Sequence, residues 1–113
     1  MAKQERIQQD IETLRRITEP CACGTQRPSY TPEYRLAIEY VKKRMKEFGL
    51  ETREDNAGNL YGVLAGTQKD APKIISGSHL DSVKCSGAYD GIAGVLCALE
   101  AARMIAESGA PLR

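Results

Sequence analysis

The chain has 113 residues, 42% of them hydrophobic and 27% charged, a composition that indicates one globular domain. With 16 basic and 15 acidic residues the formal net charge is +1, which gives no support for binding nucleic acid or an anionic membrane. No apolar run approaches the roughly 20 residues of a membrane span, and the first residues are charged rather than apolar. The sequence therefore predicts a cytoplasmic protein.

Two amphipathic helices are predicted in the first half of the chain. Apolar residues recur at helical spacing from about residue 3 to 18. The stretch 19–32 has no such period and contains Gly and Pro, so it is predicted to be a loop. Thr31 is a candidate N-cap and Pro32 suits the first helical position, so the second helix is predicted to run from there to Gly49.

Three short strands and one more helix are predicted in the second half. The strands are expected at 50–54, 59–65 and 73–78, and the third is nearly uncharged, as is typical of a central strand covered on both faces. An apolar stripe with many alanines then predicts a helix from Gly91 to Ser108. This order of elements predicts a layered α/β domain with a small sheet of about three strands.

The candidate site lies after the third predicted strand. The only histidine, His79, falls where that strand ends, and ligands of open α/β sheets gather beyond such ends. If the backbone stays extended, Asp81 shares a face with His79 and can hold the imidazole, which leaves the other ring nitrogen free for a metal. Asp90 precedes the next helix, where it is a candidate N-cap. One imidazole and two carboxylates suit a divalent cation.

Other interpretations of these residues stay open. A histidine at a strand end can be a hydrogen-bonded neutral ring, and Asp90 can be a helix cap with no further role. Two other chemistries fit less well. Ser78 and His79 are adjacent and would point to opposite faces of a strand, so they cannot form the hydrogen bond of a serine hydrolase. The Gly-containing run before the third helix lacks the spacing and the Lys of a P-loop.

The four cysteines are predicted to be reduced thiols rather than a disulfide framework. Cys21 and Cys23 lack the further ligands of a closed zinc site nearby in the sequence, so metal binding or redox chemistry at this pair is the lesser alternative. Cys97 falls within a helical pattern and is predicted to be a small core residue. Cys85 is predicted to face solvent, with a soft metal ligand as the alternative.

Four segments together resemble the M20 clan of metal-dependent amidohydrolases and peptidases, in the branch of N-carbamoyl-L-amino acid hydrolases and allantoate amidohydrolases. The segments are 29–33, 55–60, 77–83 and 87–91. The resemblance implies a partial three-layer αβα domain like that of zinc exopeptidases. It also implies that residues 1–113 are the N-terminal part of a catalytic domain, without its remainder or the dimerisation domain.

The resemblance also implies roles for individual residues. His79 looks like a ligand of one metal, and Asp90 looks like the carboxylate that bridges two. Asp81 looks like the catalytic residue that orients His79. The metals would be divalent ions such as zinc, manganese, cobalt or nickel. Asp55 and Asn59 match a family motif that is expected to shape a turn.

The implied reaction is hydrolysis of the C–N bond of N-carbamoyl amino acids or allantoate. The family's paired glutamates, which supply a general base and a further ligand, do not occur in this sequence, and neither do its later histidines. We therefore expect the chain alone to bind metal weakly and to be inactive, and to associate with itself or with a complementary chain. The alternative is a truncated, non-catalytic protein that acts only by association, or a relic.

Overall fold

The computed structural model describes residues 3–112 as three helices and four short strands. In chain order the elements are α1 (Lys3–Arg16), β1 (Thr25–Arg27), α2 (Pro32–Glu47), β2 (Glu51–Glu54), β3 (Leu60–Val63), β4 (Ser82–Ser86) and α3 (Ile92–Ser108). No helix in this part of the chain is long and apolar enough to cross a membrane.

The ends of α2 follow the predicted signals. The Thr31 hydroxyl accepts a hydrogen bond from the Tyr34 backbone N–H, and Pro32 occupies the first turn, where its missing N–H costs nothing. Gly49 follows the helix with φ +78, a left-handed value that glycine adopts without a Cβ penalty. The predicted cap, first residue and stop of this helix are therefore confirmed.

The core lies between the three helices. Nine buried apolar residues form it, and the only one that comes from outside the helices is Leu80. They are Ile11, Leu14, Ala37, Ile38, Val41, Leu80, Ile92, Leu96 and Leu99. Because Leu80 follows His79 directly, the burial of this leucine fixes the candidate site segment to the helical core.

Ion pairs join α1 to both of its helical neighbours. The Arg6 guanidinium lies 2.5 Å from Glu100 of α3. Arg44 of α2 donates to the buried Asp10 carboxylate over 2.9 Å, and the Tyr40 hydroxyl donates to the same carboxylate over 2.5 Å. These side chains fix how the helices lie against each other, because charged groups that are taken out of water need their partners.

The strands form two separate antiparallel pairs instead of one sheet of about three strands. In one pair, β2 and β3 run in regular register from Glu51 opposite Val63 to Glu54 opposite Leu60. In the other, β1 pairs with β4. Thr25 lies opposite Ser86 and Arg27 opposite Ser82, and the register shifts between these two positions. Sequence patterns missed β1 and β4 because both are polar and short and show no apolar alternation. The α/β class is confirmed, and the single three-stranded sheet is wrong for residues 3–112.

The predicted central strand 73–78 is not a strand in the structure. No described residue forms a ladder with this segment, and Ile74 and Ile75 are 99% and 81% exposed. A strand is defined by backbone hydrogen bonds to a neighbour, so an apolar run with high strand propensity remains single when no neighbour is present. The prediction of a strand is wrong because the segment has no neighbouring strand among the described residues, although its residue types favour a strand.

Asp55 organises the turn between β2 and β3. Its carboxylate accepts hydrogen bonds from the backbone N–H groups of Ala57 and Asn59 and from the Asn59 side chain, over 2.9 to 3.0 Å. These bonds to the ionised form lower the pKa of Asp55. Gly58 has φ +85 in the same turn. The structural role that the motif predicts for Asp55 and Asn59 is therefore confirmed.

Candidate metal centre

His79 is held in a defined orientation by Asp81. Its Nδ1 lies 3.0 Å from the Asp81 backbone oxygen and 3.3 Å from the Asp81 carboxylate. A carbonyl oxygen can only accept, so Nδ1 carries the hydrogen in the neutral ring and donates it. This tautomer leaves Nε2 with a free lone pair, and the His79 side chain is 51% exposed. The arrangement has the form in which imidazole binds metals.

The His79 ring lies against the beginning of α3. A Cβ atom built on Gly91 would lie 2.4 Å from His79 Cε1 and 2.6 Å from the His79 backbone oxygen. Gly91 also has φ +71, so two independent constraints require glycine there. One turn further, a Cβ on Gly94 would lie 2.7 Å from the Ser78 Cβ. The segment 78–79 is thus packed on the first turn of α3.

Asp90 precedes Gly91 but does not cap the helix. The N-cap residue is Gly91, and no side chain makes a capping bond there. The predicted cap role of Asp90 is wrong because the helix begins one residue later, after a left-handed residue. Asp90 is exposed, and among residues 3–112 its carboxylate has no hydrogen-bond or ion-pair partner. Gly91, the next residue, is the one that lies against the His79 ring.

Arg27 is a buried residue of the site that sequence reasoning missed. It is fully buried, and its guanidinium donates to the backbone oxygens of Leu80, Leu14 and Ile17 over 2.5 to 2.8 Å. Burial lowers the pKa of Arg27, and the negative charge of Asp81 opposes that shift. Since Leu80 lies between His79 and Asp81, Arg27 fixes the backbone of the candidate site. Nothing in the sequence distinguishes Arg27 from the surface arginines.

Two of the cysteines meet near the site. The Cys23 Sγ lies 2.7 Å from the Cys85 Sγ, and both side chains are exposed. The hydrogen bond with Cys23 raises the pKa of Cys85. Cys97 is exposed on α3, so its predicted place in the core is wrong. It falls outside the helix face that carries the buried Leu96 and Leu99.

The metal-ligand set in this part of the chain is small. Within residues 3–112 no group of three or more His, Cys, Asp or Glu side chains is placed to hold a metal ion. His79, Asp81 and Asp90 are brought to one end of α3, but only His79 Nε2 and the Asp90 carboxylate are free to act as ligands. The described residues therefore hold an imidazole that Asp81 orients and an exposed carboxylate at the beginning of the same helix.

Known proteins similar to this chain point to one class of enzyme. The family model of peptidase family M28 matches residues 59–113. The N-carbamoyl-L-amino-acid amidohydrolase of Paenarthrobacter aurescens is 45% identical over 108 residues, which are 96% of this chain and 26% of that protein. The allantoate amidohydrolase of Bacillus subtilis (strain 168) is 44% identical over 102 residues, 89% of this chain and 25% of that protein.

A solved structure agrees with these relatives. A hydantoinase/carbamoylase family amidase from Burkholderia ambifaria superposes with a TM-score of 0.86 at 28% identity, covering 93% of this chain and 26% of that one. The chain spans about a quarter of the length of the curated relatives it matches. It is a homologue of amidohydrolases. More particularly, it is a homologue of the N-carbamoyl-L-amino acid and allantoate amidohydrolases, which confirms that branch of the resemblance.

Proposed function

We propose that this chain supplies one loop of a divalent-metal site in an amidohydrolase that cleaves the C–N bond of N-carbamoyl amino acids or allantoate, in the cytoplasm. The observation that carries the proposal is the contact of His79 Nδ1 with Asp81, because it occupies Nδ1 and leaves Nε2 available as a ligand. The names of two relatives support the substrate class. This chain covers only about a quarter of the relatives, which supports a role for the chain as one part of a larger site.

The donor chemistry fits the proposed metal. A neutral imidazole nitrogen and a carboxylate oxygen are ligands that zinc, manganese, cobalt and nickel accept. A bound ion of this kind would supply Lewis-acid polarisation of the substrate carbonyl and would lower the pKa of a bound water. We propose no proton-transferring base in this chain, so its own contribution is to bind and orient.

Each residue of the loop has a separate task in this proposal. Asp81 fixes the His79 tautomer and ring plane, which preorganises Nε2. Asp90 places its negative charge at the N-terminal end of α3, where the helix dipole favours an anion. Arg27 holds Leu80, so the backbone between His79 and Asp81 stays in place. Asp81 and Arg27 thus position His79, and we call the two proposed ligands, His79 and Asp90, the half-site. A metal ion bound there would keep most of its coordination positions open.

A metal titration tests this half-site. In a Cys21→Ser, Cys23→Ser, Cys85→Ser background, which removes competing thiols, we expect zinc or manganese to bind with micromolar or weaker affinity. Two protein ligands leave the ion largely hydrated, which accounts for the weakness. His79→Ala should abolish binding, and Asp81→Asn should weaken it by about 10-fold. Isothermal titration gives the affinity, and the NMR signals of the single imidazole report ligation directly.

Asp70→Asn is the matched control for the titration, because it removes an exposed carboxylate in the turn after β3 and should leave binding unchanged. Binding that persists in His79→Ala would refute the site. Sub-micromolar binding would also refute it as a two-ligand site, since it would require ligands from elsewhere.

A second role, association with another chain, is favoured by the unpaired segment 73–78. Ile74 and Ile75 are almost fully exposed, and their backbone forms no ladder with the residues described. Exposed strand-forming residues are templates for pairing with a second chain. We propose that a second copy pairs with this segment when no other strand is available to it.

Light scattering of the purified chain over a concentration series tests the association. We expect dimers or larger species for the wild type and a shift to monomer for Ile74→Gln, Ile75→Gln, since each polar side chain disfavours burial in a new sheet. Leu36→Gln is the control, because Leu36 is an exposed apolar residue, 59% accessible, on α2. A wild type that stays monomeric at every concentration would contradict the proposal.

A further inference from the structure

The Cys23 and Cys85 thiols form a close pair that the proposed hydrolytic function does not use. Their sulfur atoms are 2.7 Å apart although the residues are 62 positions apart in sequence. A disulfide bond is about 2.05 Å long, so a small displacement separates this contact from a covalent bond. Both side chains are exposed, so a small oxidant can reach them.

The backbone around both cysteines keeps them together. Gly24 has φ +66, and a Cβ built on it would lie 2.3 Å from the Ser86 backbone oxygen, so only glycine permits this approach of β1 to β4. Cys85 itself has φ +56, an uncommon value for a residue with a side chain. Thr25, two residues after Cys23, lies opposite Ser86, the residue that follows Cys85. The pair is therefore set by the fold rather than by chance rotamers.

The third nearby thiol is directed elsewhere. The Cys21 Sγ donates to the backbone oxygens of Cys23 and Gly24 over 3.2 and 3.5 Å. These contacts turn the Cys21 thiol towards the loop backbone. Cys97 lies on α3, in a different element. Of the four thiols, Cys23 and Cys85 are the two whose sulfur atoms lie in contact in the described structure.

We propose that Cys23 and Cys85 are a reversible redox site that closes to a disulfide on reaction with a low-molecular-weight disulfide such as oxidised glutathione. One protein thiolate attacks the glutathione disulfide, which forms a mixed disulfide and releases one glutathione thiolate. The second protein thiolate then attacks the protein sulfur of the mixed disulfide and releases the second glutathione. The two protons of the protein thiols end on the two glutathiones, so two thiols are oxidised and one glutathione disulfide is reduced.

The bond would join the segment that precedes β1 to the end of β4, which leads into the loop that carries Asp90. It closes a loop between residues 62 positions apart, which restricts the unfolded chain and raises the melting temperature by on the order of 10 °C. A modification of a single thiol by glutathione has no such effect, because it closes no loop. Thermal stability therefore distinguishes the proposed disulfide from simple thiol capping.

The test uses the full chain carrying Cys97→Ser, reduced and then exposed to excess oxidised glutathione without air. We expect the intact mass to fall by two hydrogen masses, a peptide map to join the peptides of Cys23 and Cys85, and the melting temperature to rise. A reductant should reverse all three changes. Adding Cys21→Ser should leave them intact, whereas adding Cys23→Ser should abolish the mass loss and the rise in melting temperature.

Three results would overturn the proposal. The first is a protein that keeps both thiols open to alkylation under excess oxidised glutathione. The second is an intramolecular bond that maps to Cys21, or that still forms in the Cys23→Ser variant. The third is a stable mixed disulfide with glutathione in which the second thiol never displaces it, because such a product shows that the two sulfur atoms do not react.

Discussion

Replacing Arg27 with alanine is expected to remove about 3 kcal/mol or more from the free energy of unfolding, a large share of what a domain of this size has. The guanidinium is fully buried and donates to three backbone oxygens. Without it all three oxygens lose a donor, although the Leu14 oxygen still accepts from the Ile17 backbone N–H. Each buried acceptor that is left unpaired costs about 1–3 kcal/mol. Urea denaturation followed by circular dichroism measures the loss.

Two further variants separate the causes of that loss. Arg27→Met keeps most of the side-chain volume and removes every donor, so it should be nearly as destabilised as the alanine variant. Arg27→Lys keeps a charge but has no planar fork of donors, and we expect an intermediate loss. Arg15→Ala, on the exposed face of α1, should change little. A loss below about 1 kcal/mol in Arg27→Met would show that the hydrogen bonds are not what stabilises this region.

Gly91→Ala is expected to destabilise the chain by about 2–4 kcal/mol and to move the His79 ring. The methyl group would meet His79 Cε1 at 2.4 Å and the His79 backbone oxygen at 2.6 Å. Alanine would also have to adopt φ +71. The ring can rotate away, but the backbone oxygen is held next to Leu80, so the beginning of α3 must shift. Urea denaturation and the NMR signals of His79 measure the two effects.

Gly109→Ala is the matched control for Gly91→Ala. Gly109 caps the other end of α3 with φ +64, yet no atom lies within 4 Å of the position of its Cβ. It therefore carries the left-handed strain without the steric clash, and we expect a loss of about 1 kcal/mol and no change at His79. Equal losses in the two variants would show that the contact between Gly91 and His79 is unimportant.

Features that depend on residues close together in the sequence could be predicted from the sequence alone. The α2 helix is an example, because Thr31, Pro32 and Gly49 act on the backbone within one turn of their own positions. The His79 and Asp81 contact is another, since two residues of spacing place both side chains together. Predictions of this kind need no knowledge of the rest of the fold.

Features that depend on distant residues could not be predicted. Arg27 became buried because α1, β1 and the loop at Leu80 converge on it, and no local pattern marks that convergence. Cys23 met Cys85 through the β1 and β4 pairing, which has no apolar alternation. Ile74 and Ile75 carry the propensity of a strand, but a ladder depends on a partner that local sequence does not specify.

The anchoring of Leu80 in the helical core has a consequence for cooperativity. A loop that only rests on a surface opens by itself, and its amide hydrogens exchange quickly with solvent. Here the loop cannot open without withdrawing Leu80 from the core and breaking the Arg27 bond to it. We therefore expect amide exchange at residues 79–81 to be slower than in an unanchored surface loop, because opening there also exposes part of the helical core.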